Sequence, residues 1–122
     1  SGFLAYLYAQ EGIHLEEAAA RAATALRADP DNPRYLGTQG WVFYRQGLID
    51  EAREALESAA LKGADANGFE HLGDAYFALG LWRRARLAWE RALTMDSARP
   101  GLKRKLERIT DGGDRRFGTG IR

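Results

Sequence analysis

The side chains able to do acid–base or nucleophilic chemistry are few and scattered. Histidine occurs at His14 and His71, and cysteine is absent. That absence excludes disulfides, thiolate metal sites and a thiol nucleophile. Nucleophilic catalysis needs a nucleophile, a base and a group that orients the base. No serine stands in a nucleophile motif with either histidine, and Ser58 and Ser97 fall near helix ends, where serine is commonplace. One cluster remains. Glu70, His71 and Asp74 share a helix face, because residues three and four apart are neighbours on a helix. As metal ligands they would sit on a single turn, which holds a transition metal poorly. A polar patch on a groove is the preferred reading. The GG and GTG of residues 111–120 lack the preceding strand and following helix that a phosphate cradle needs. No enzymatic activity, metal, cofactor or small-molecule substrate is expected.

The elements that position such a patch follow from size and periodicity. With 122 residues, 45% apolar and 29% charged, the chain is one domain with enough apolar material for a core. The net charge of +1 leaves no uniform field to steer it toward nucleic acid or an anionic membrane. No apolar run approaches the ~20 residues that span a bilayer. No signal peptide is visible, and the compartment stays open.

Residues 33–65 and 66–98 align on each other at an offset of 33. Gly40 falls on Gly73, Phe43 on Tyr76, Gly47 on Gly80, Ala52 on Ala85, Leu56 on Trp89 and Ala59 on Ala92. A third copy lies ahead of them, with Ala18 and Ala25 placed 34 residues before Ala52 and Ala59. Each unit reads as two helices. In the third, Phe69, Leu72, Tyr76 and Leu79 mark one helical face, Gly80 breaks it, and the pattern restarts at Trp82. Pro33 suits a first helical turn, and Asp50 is placed to cap the second helix of its unit. After the third unit Pro100 can open one more helix. There Leu102, Leu106 and Ile109 face inward while Lys103, Arg104, Lys105 and Arg108 face water.

Helix-turn-helix units of this length, with small residues at helix crossings and aromatics between, resemble the tetratricopeptide repeat (TPR). The match rests on Leu72, Gly73, Tyr76, Gly80, Trp82, Ala85, Trp89 and Ala92, and on Leu36, Gly40, Phe43, Gly47, Ile49, Ala52, Leu56 and Ala59. More narrowly, the chain resembles the C-terminal repeats of bacterial multi-repeat proteins, many of them envelope lipoproteins. Departures are Ala5 for a glycine, Ala22 for a large residue, and Ala64 and Ser97 for closing prolines. The resemblance implies an all-α, right-handed solenoid of three hairpins with a capping helix. Its units would span about 1–32, 33–65 and 66–99, the cap 100–110, and a flexible tail 111–122.

The resemblance also implies a non-catalytic scaffold that holds a protein or peptide in a concave groove lined by the first helix of each unit. By register the groove residues are Tyr6 and Gln10, then Arg34, Thr38, Trp41, Tyr44 and Arg45, then Asn67, Glu70, His71, Asp74 and Phe77. Trp41, beside Gly40 and off the Leu36–Phe43 packing face, is expected to be exposed, so that its truncation removes binding and spares the fold. Tyr44 and Phe77 are open between groove and inter-unit packing. Arg45 is expected to oppose Asp74 and Glu70 at the groove edge. Repeats that clamp a chaperone's C-terminal carboxylate use asparagines and lysines here. Tyr6, Trp41 and Asp74 stand at the equivalent places, which weighs against such a clamp. Two alternatives accompany this reading. The last 23 residues carry a net +4 against −3 for the rest, so the basic end could contact nucleic acid or an anionic membrane. Phe3, Leu4, Leu7 and Tyr8 would favour a weak homodimer through the N-terminal hairpin.

Overall fold

The computed structural model describes residues 3–4 and 15–109, and every regular element among them is helical. The helices are α1 (Leu15–Ala28), α2 (Pro33–Arg45), α3 (Ile49–Leu61), α4 (Ala66–Ala78), α5 (Trp82–Met95) and α6 (Leu102–Arg108). The α2–α3 and α4–α5 pairs form hairpins that stack through α3 on α4 and α2 on α4, with α1 against α2 and α6 against α5. The structure is a solenoid of helical hairpins.

Local chemistry sets the helix ends. Asn32 accepts from the backbone N–H groups of Arg34 at 2.9 Å and Tyr35 at 3.2 Å, and Pro33 occupies the first position, where no N–H is required. Asp65 caps α4 by accepting from the Gly68 N–H at 3.1 Å. Both first helices stop alike. The Gly47 N–H donates to the Tyr44 carbonyl and Leu48 to Phe43; Gly80 and Leu81 repeat this with Phe77 and Tyr76. Such a closure needs a left-handed residue, and the two glycines have φ of 83° and 77°. It also fixes where the next helix begins. Leu48, its N–H already held by Phe43, flanks α3 with no side-chain cap, so Asp50 lies in the first turn and does not cap, contrary to expectation.

Close helix approach depends on small residues. A Cβ at Gly40 would meet Leu56 Cγ at 2.5 Å, and one at Gly73 would overlap the Trp89 indole. Ala52, Ala59, Ala85 and Ala92 are fully buried at the crossings. Around them Leu56, Leu72, Tyr76, Trp89, Leu102 and Ile109 form the main core. Gly101, with φ 83°, delays α6 to Leu102, two residues beyond the expected start. Leu102 and Ile109 are sealed, which stabilises this covering helix by about 1.5–3 kcal/mol each. Lys103, Arg104 and Arg108 are exposed as expected. Lys105 is not. It turns inward onto α4.

Candidate functional site

Helices α2 and α4 present neighbouring faces, and the candidate residues on them meet different fates. On α2, Arg34 and Arg45 are exposed and Thr38 is buried, its hydroxyl donating to the Arg34 carbonyl at 3.0 Å. Trp41 is 9% exposed, which overturns the expected exposure. Its indole stacks on Tyr44 at 4.9 Å and on His71 at 3.9 Å, within 11° of parallel in both cases. The reason is geometric. The face beside Gly40 is where α4 packs, so α4 supplies an aromatic surface for the indole. Tyr44, half-buried, belongs to the same stack, and burial raises its phenol pKa, with Asp74 adding to the rise. Phe77 packs edge-on against Trp82 at 4.7 Å and tilted against Trp89 at 5.7 Å. The two aromatics left open are therefore both in packing contacts. Tyr6 and Gln10 lie outside the described residues.

On α4 the acid–base cluster is taken up internally. Glu70 receives Arg99 Nε and, at 2.6 Å, Lys105 Nζ; Asp74 receives Lys105 Nζ at 2.9 Å and the Trp89 indole N–H at 3.2 Å. That indole N–H also reaches the Glu70 carbonyl at 3.1 Å. Arg99 donates in addition to the Asn67 side chain. Burial pushes the Glu70 carboxyl up, but the bonded Lys105 and Arg99 outweigh this and hold it below its ordinary value. For Asp74 burial wins over Lys105, and its carboxyl is raised. Lys105 is raised too: burial opposes its charge, and the two carboxylates more than restore it. His71, 6% exposed, is pushed down to about 3 by burial, with Glu70 opposing the fall and Arg99 favouring it. Its neutral ring stacks on Trp41 without placing a cation in the interior. The expected opposition of Arg45 to Glu70 and Asp74 is replaced by this network, because the segment after α5 delivers Arg99 and Lys105 to the same carboxylates.

Among the described residues, what stays open is a pocket of about 340 Å³ where α2 and α4 face Phe3. Arg34, Thr38, Asn67 and His71 line it, with Phe3 as a further wall. Phe3, 70% exposed, was read as an apolar residue lacking cover, and Leu7 and Tyr8 of the same proposed dimer surface lie outside the described residues. Gly37 was passed over. A Cβ there would meet nothing within 4 Å, so the glycine leaves space at the pocket floor. A glycine inside a helix costs about 0.5–1 kcal/mol relative to alanine, and that was the available signal. The closure of the α4 end by Arg99 and Lys105 was also missed, since both lie beyond the repeat pattern.

Residues 4–68, more than half of the chain, match the family model for the tetratricopeptide repeat. The chain belongs to the tetratricopeptide repeat family. A TPR repeat-containing protein of Pseudomonas aeruginosa is 32% identical over 71 residues, which are 58% of this chain and 12% of that protein. The chain thus spans a small part of that relative's length. Among solved structures, the first TPR domain of the human RPAP3 protein superposes with a TM-score of 0.85 at 19% identity, over 96% of this chain and 92% of that one. The first TPR of Spaghetti (RPAP3), solved bound to the HSP90 peptide SRMEEVD, gives 0.79 at 20% identity over 90% of each. These likenesses establish the TPR architecture. TPR units are modules for holding other proteins, and the chain is a scaffold of that type.

Proposed function

We propose that the chain binds an extended protein or peptide segment on the face lined by α2 and α4, seated in the pocket between Arg34, Thr38, Asn67, His71 and Phe3. The observation that supports this is the pocket itself, lined by the first helices of two successive units, the helices that the family resemblance assigns to the groove. A structural neighbour that binds a heptapeptide supports the same class of ligand. The ligand chemistry differs from a carboxylate clamp. Asp74 stands where such clamps place a donor, and it is already bonded to Lys105 and Trp89. The segment that fits carries an apolar side chain against Phe3 and the buried ring of His71, and an acceptor for Arg34. The basic-end alternative draws less support, because Lys105 is held by Glu70 and Asp74.

The test uses a peptide selected from a random display library on the folded chain. Affinity in the micromolar range is expected of a small module. Gly37→Leu fills the pocket, and Arg34→Glu reverses its exposed charge; each should weaken the selected peptide roughly tenfold or more while melting is unchanged. Selected peptides that bind both variants like the parent would overturn the site.

A further inference from the structure

A second surface lies on the outer side of the last hairpin. Phe69, Leu72 and Tyr76 of α4, with Leu87 of α5, line a slot of about 350 Å³ that shares no residue with the pocket described above. Phe69 and Tyr76 stand about 180–200° around α4 from Asn67, so the slot faces away from the α2–α4 pocket. Leu87 is 64% exposed at its edge.

Two cations frame the slot. The Arg84 guanidinium lies 6.0 Å from the Tyr76 ring centroid, and that of Arg91 lies 5.5 Å from Phe69. Neither makes an ion pair with a carboxylate among the described residues, and no acidic side chain lines the slot. One acid tied to its rim, Glu57, already accepts the Tyr76 hydroxyl at 2.5 Å and pairs with Arg53 at 3.1 Å. Helix α5 as a whole carries four arginines and one glutamate, Glu90, which stands about 100° around the axis from Arg91. The surface is apolar at its centre and positive at both ends.

We infer that this slot docks an acidic amphipathic helix of a partner protein, one apolar side chain entering between Phe69, Tyr76 and Leu87 and a carboxylate pairing with each of Arg84 and Arg91. The spacing sets the ligand's pattern. Arg84, Leu87 and Arg91 are three and four residues apart, so the cations are about 10 Å apart along α5. A helix laid alongside matches this with acids two turns apart and an apolar residue between them, as in Glu-x-x-Leu-x-x-x-Glu. Arginines over aromatic rings hold their guanidinium planes against the surface, which lowers the cost of ordering them on binding. The apolar centre favours a protein helix over nucleic acid, which would bring phosphates and no aliphatic anchor.

The experiment titrates the folded chain with a synthetic helical peptide of about 15 residues carrying that pattern, at low salt and again near 0.5 M. A dissociation constant on the order of 10–100 µM is expected, weakening as salt rises. Arg84→Glu or Arg91→Glu should each weaken it roughly tenfold, and Leu87→Gln similarly, with helicity and melting held as controls. Arg34→Glu, on the other face, should leave it unchanged. Replacing the peptide's central Leu by Gln should abolish saturable binding. The inference is overturned if the peptide does not saturate, or if its binding ignores Arg84 and Arg91. It is equally overturned if single-stranded DNA competes for the two arginines more strongly than the peptide. Because the two faces use different residues, failure here leaves the α2–α4 pocket standing, and the reverse also holds.

Discussion

The faces of α2 and α4 occupy equivalent positions in successive repeats, and they are finished in opposite ways. On α2 the first turn is open: Arg34 is exposed and Gly37 leaves room beside it. On α4 the two carboxylates are taken up, Glu70 and Asp74 being bound to Arg99 and Lys105, while His71, stacked on Trp41, reaches the pocket with one edge. The contrast follows from what each repeat must pack against. The last hairpin of this chain is covered by α6, and a covering helix brings side chains of its own to the face it meets. A repeat motif therefore assigns positions to a face, while the following element decides whether that face is available to a ligand.

The two regions meet at Trp41, and its removal should have the largest effect. A buried tryptophan truncated to alanine costs about 3–5 kcal/mol, and here the loss also exposes His71. Trp41→Ala should therefore lower the denaturant midpoint strongly and change any binding only through loss of fold. An unchanged midpoint would mean that the indole does not join the two repeats.

Next comes a direct contrast between the closed and open faces. Lys105→Met leaves two largely buried carboxylates without their shared cation. Breaking a buried pair costs about 3–5 kcal/mol, and roughly 2–3 is expected here because the lysine side chain keeps 30% exposure. Arg34→Ala, on the open face, should stay within about 0.5 kcal/mol. Equal effects in urea titration would show that the ion network adds nothing to the stability of the closed face.

These residues also mark how far the sequence could be read. The repeat, the helix pairs and the small residues at the crossings were legible, because period and steric fit are local properties. Gly73 is such a case, legible as a small residue at a crossing, and the structure shows the Trp89 indole in the space it leaves. The fate of Trp41 was not legible, since it depends on His71 thirty residues later and on which ring fills the space between them. Lys105 was assigned to water by helical periodicity, which counts apolar faces and cannot register a pair of buried carboxylates as a partner. Asp50 falls two residues past the cap position, Leu48, because the glycine turn sets where the helix begins.

Helix crossings provide a smaller test of register common to both regions. Ala85 is fully buried between α4 and α5, and Arg83, two residues away, is exposed. Enlarging Ala85 to Leu should cost about 1–3 kcal/mol through overpacking, whereas Arg83→Leu should be near neutral. Thermal melts of the two variants at one pH suffice to separate them.

The last effect is a slope with pH, and it isolates the carboxylate side of α4 electrostatically. His71 has a folded pKa of about 3 against an ordinary 6.5, lowered first by burial. Below about 6.5 the unfolded chain takes up a proton at this residue while the native ring stays neutral, so the unfolded state binds more protons and stability falls with pH. The loss runs from about pH 6.5 down toward the folded value, and between pH 7 and 5 it amounts to about 2 kcal/mol. Other groups on this face act elsewhere or with opposite sign. Glu70, with its lowered carboxyl, costs stability only as pH falls through the carboxylate range, and Asp74, raised by burial, gains there. Lys105 loses its contribution only in alkali, as pH rises through its raised value. His71→Gln removes the titration and leaves the carboxylates in place. Its urea midpoint should be lower than the parent's at pH 7, for want of the stack on Trp41, and the gap should narrow by pH 5. A gap that stays constant across that range would mean the His71 ring takes up its proton as readily folded as unfolded, and hence that the face of α4 is open to water.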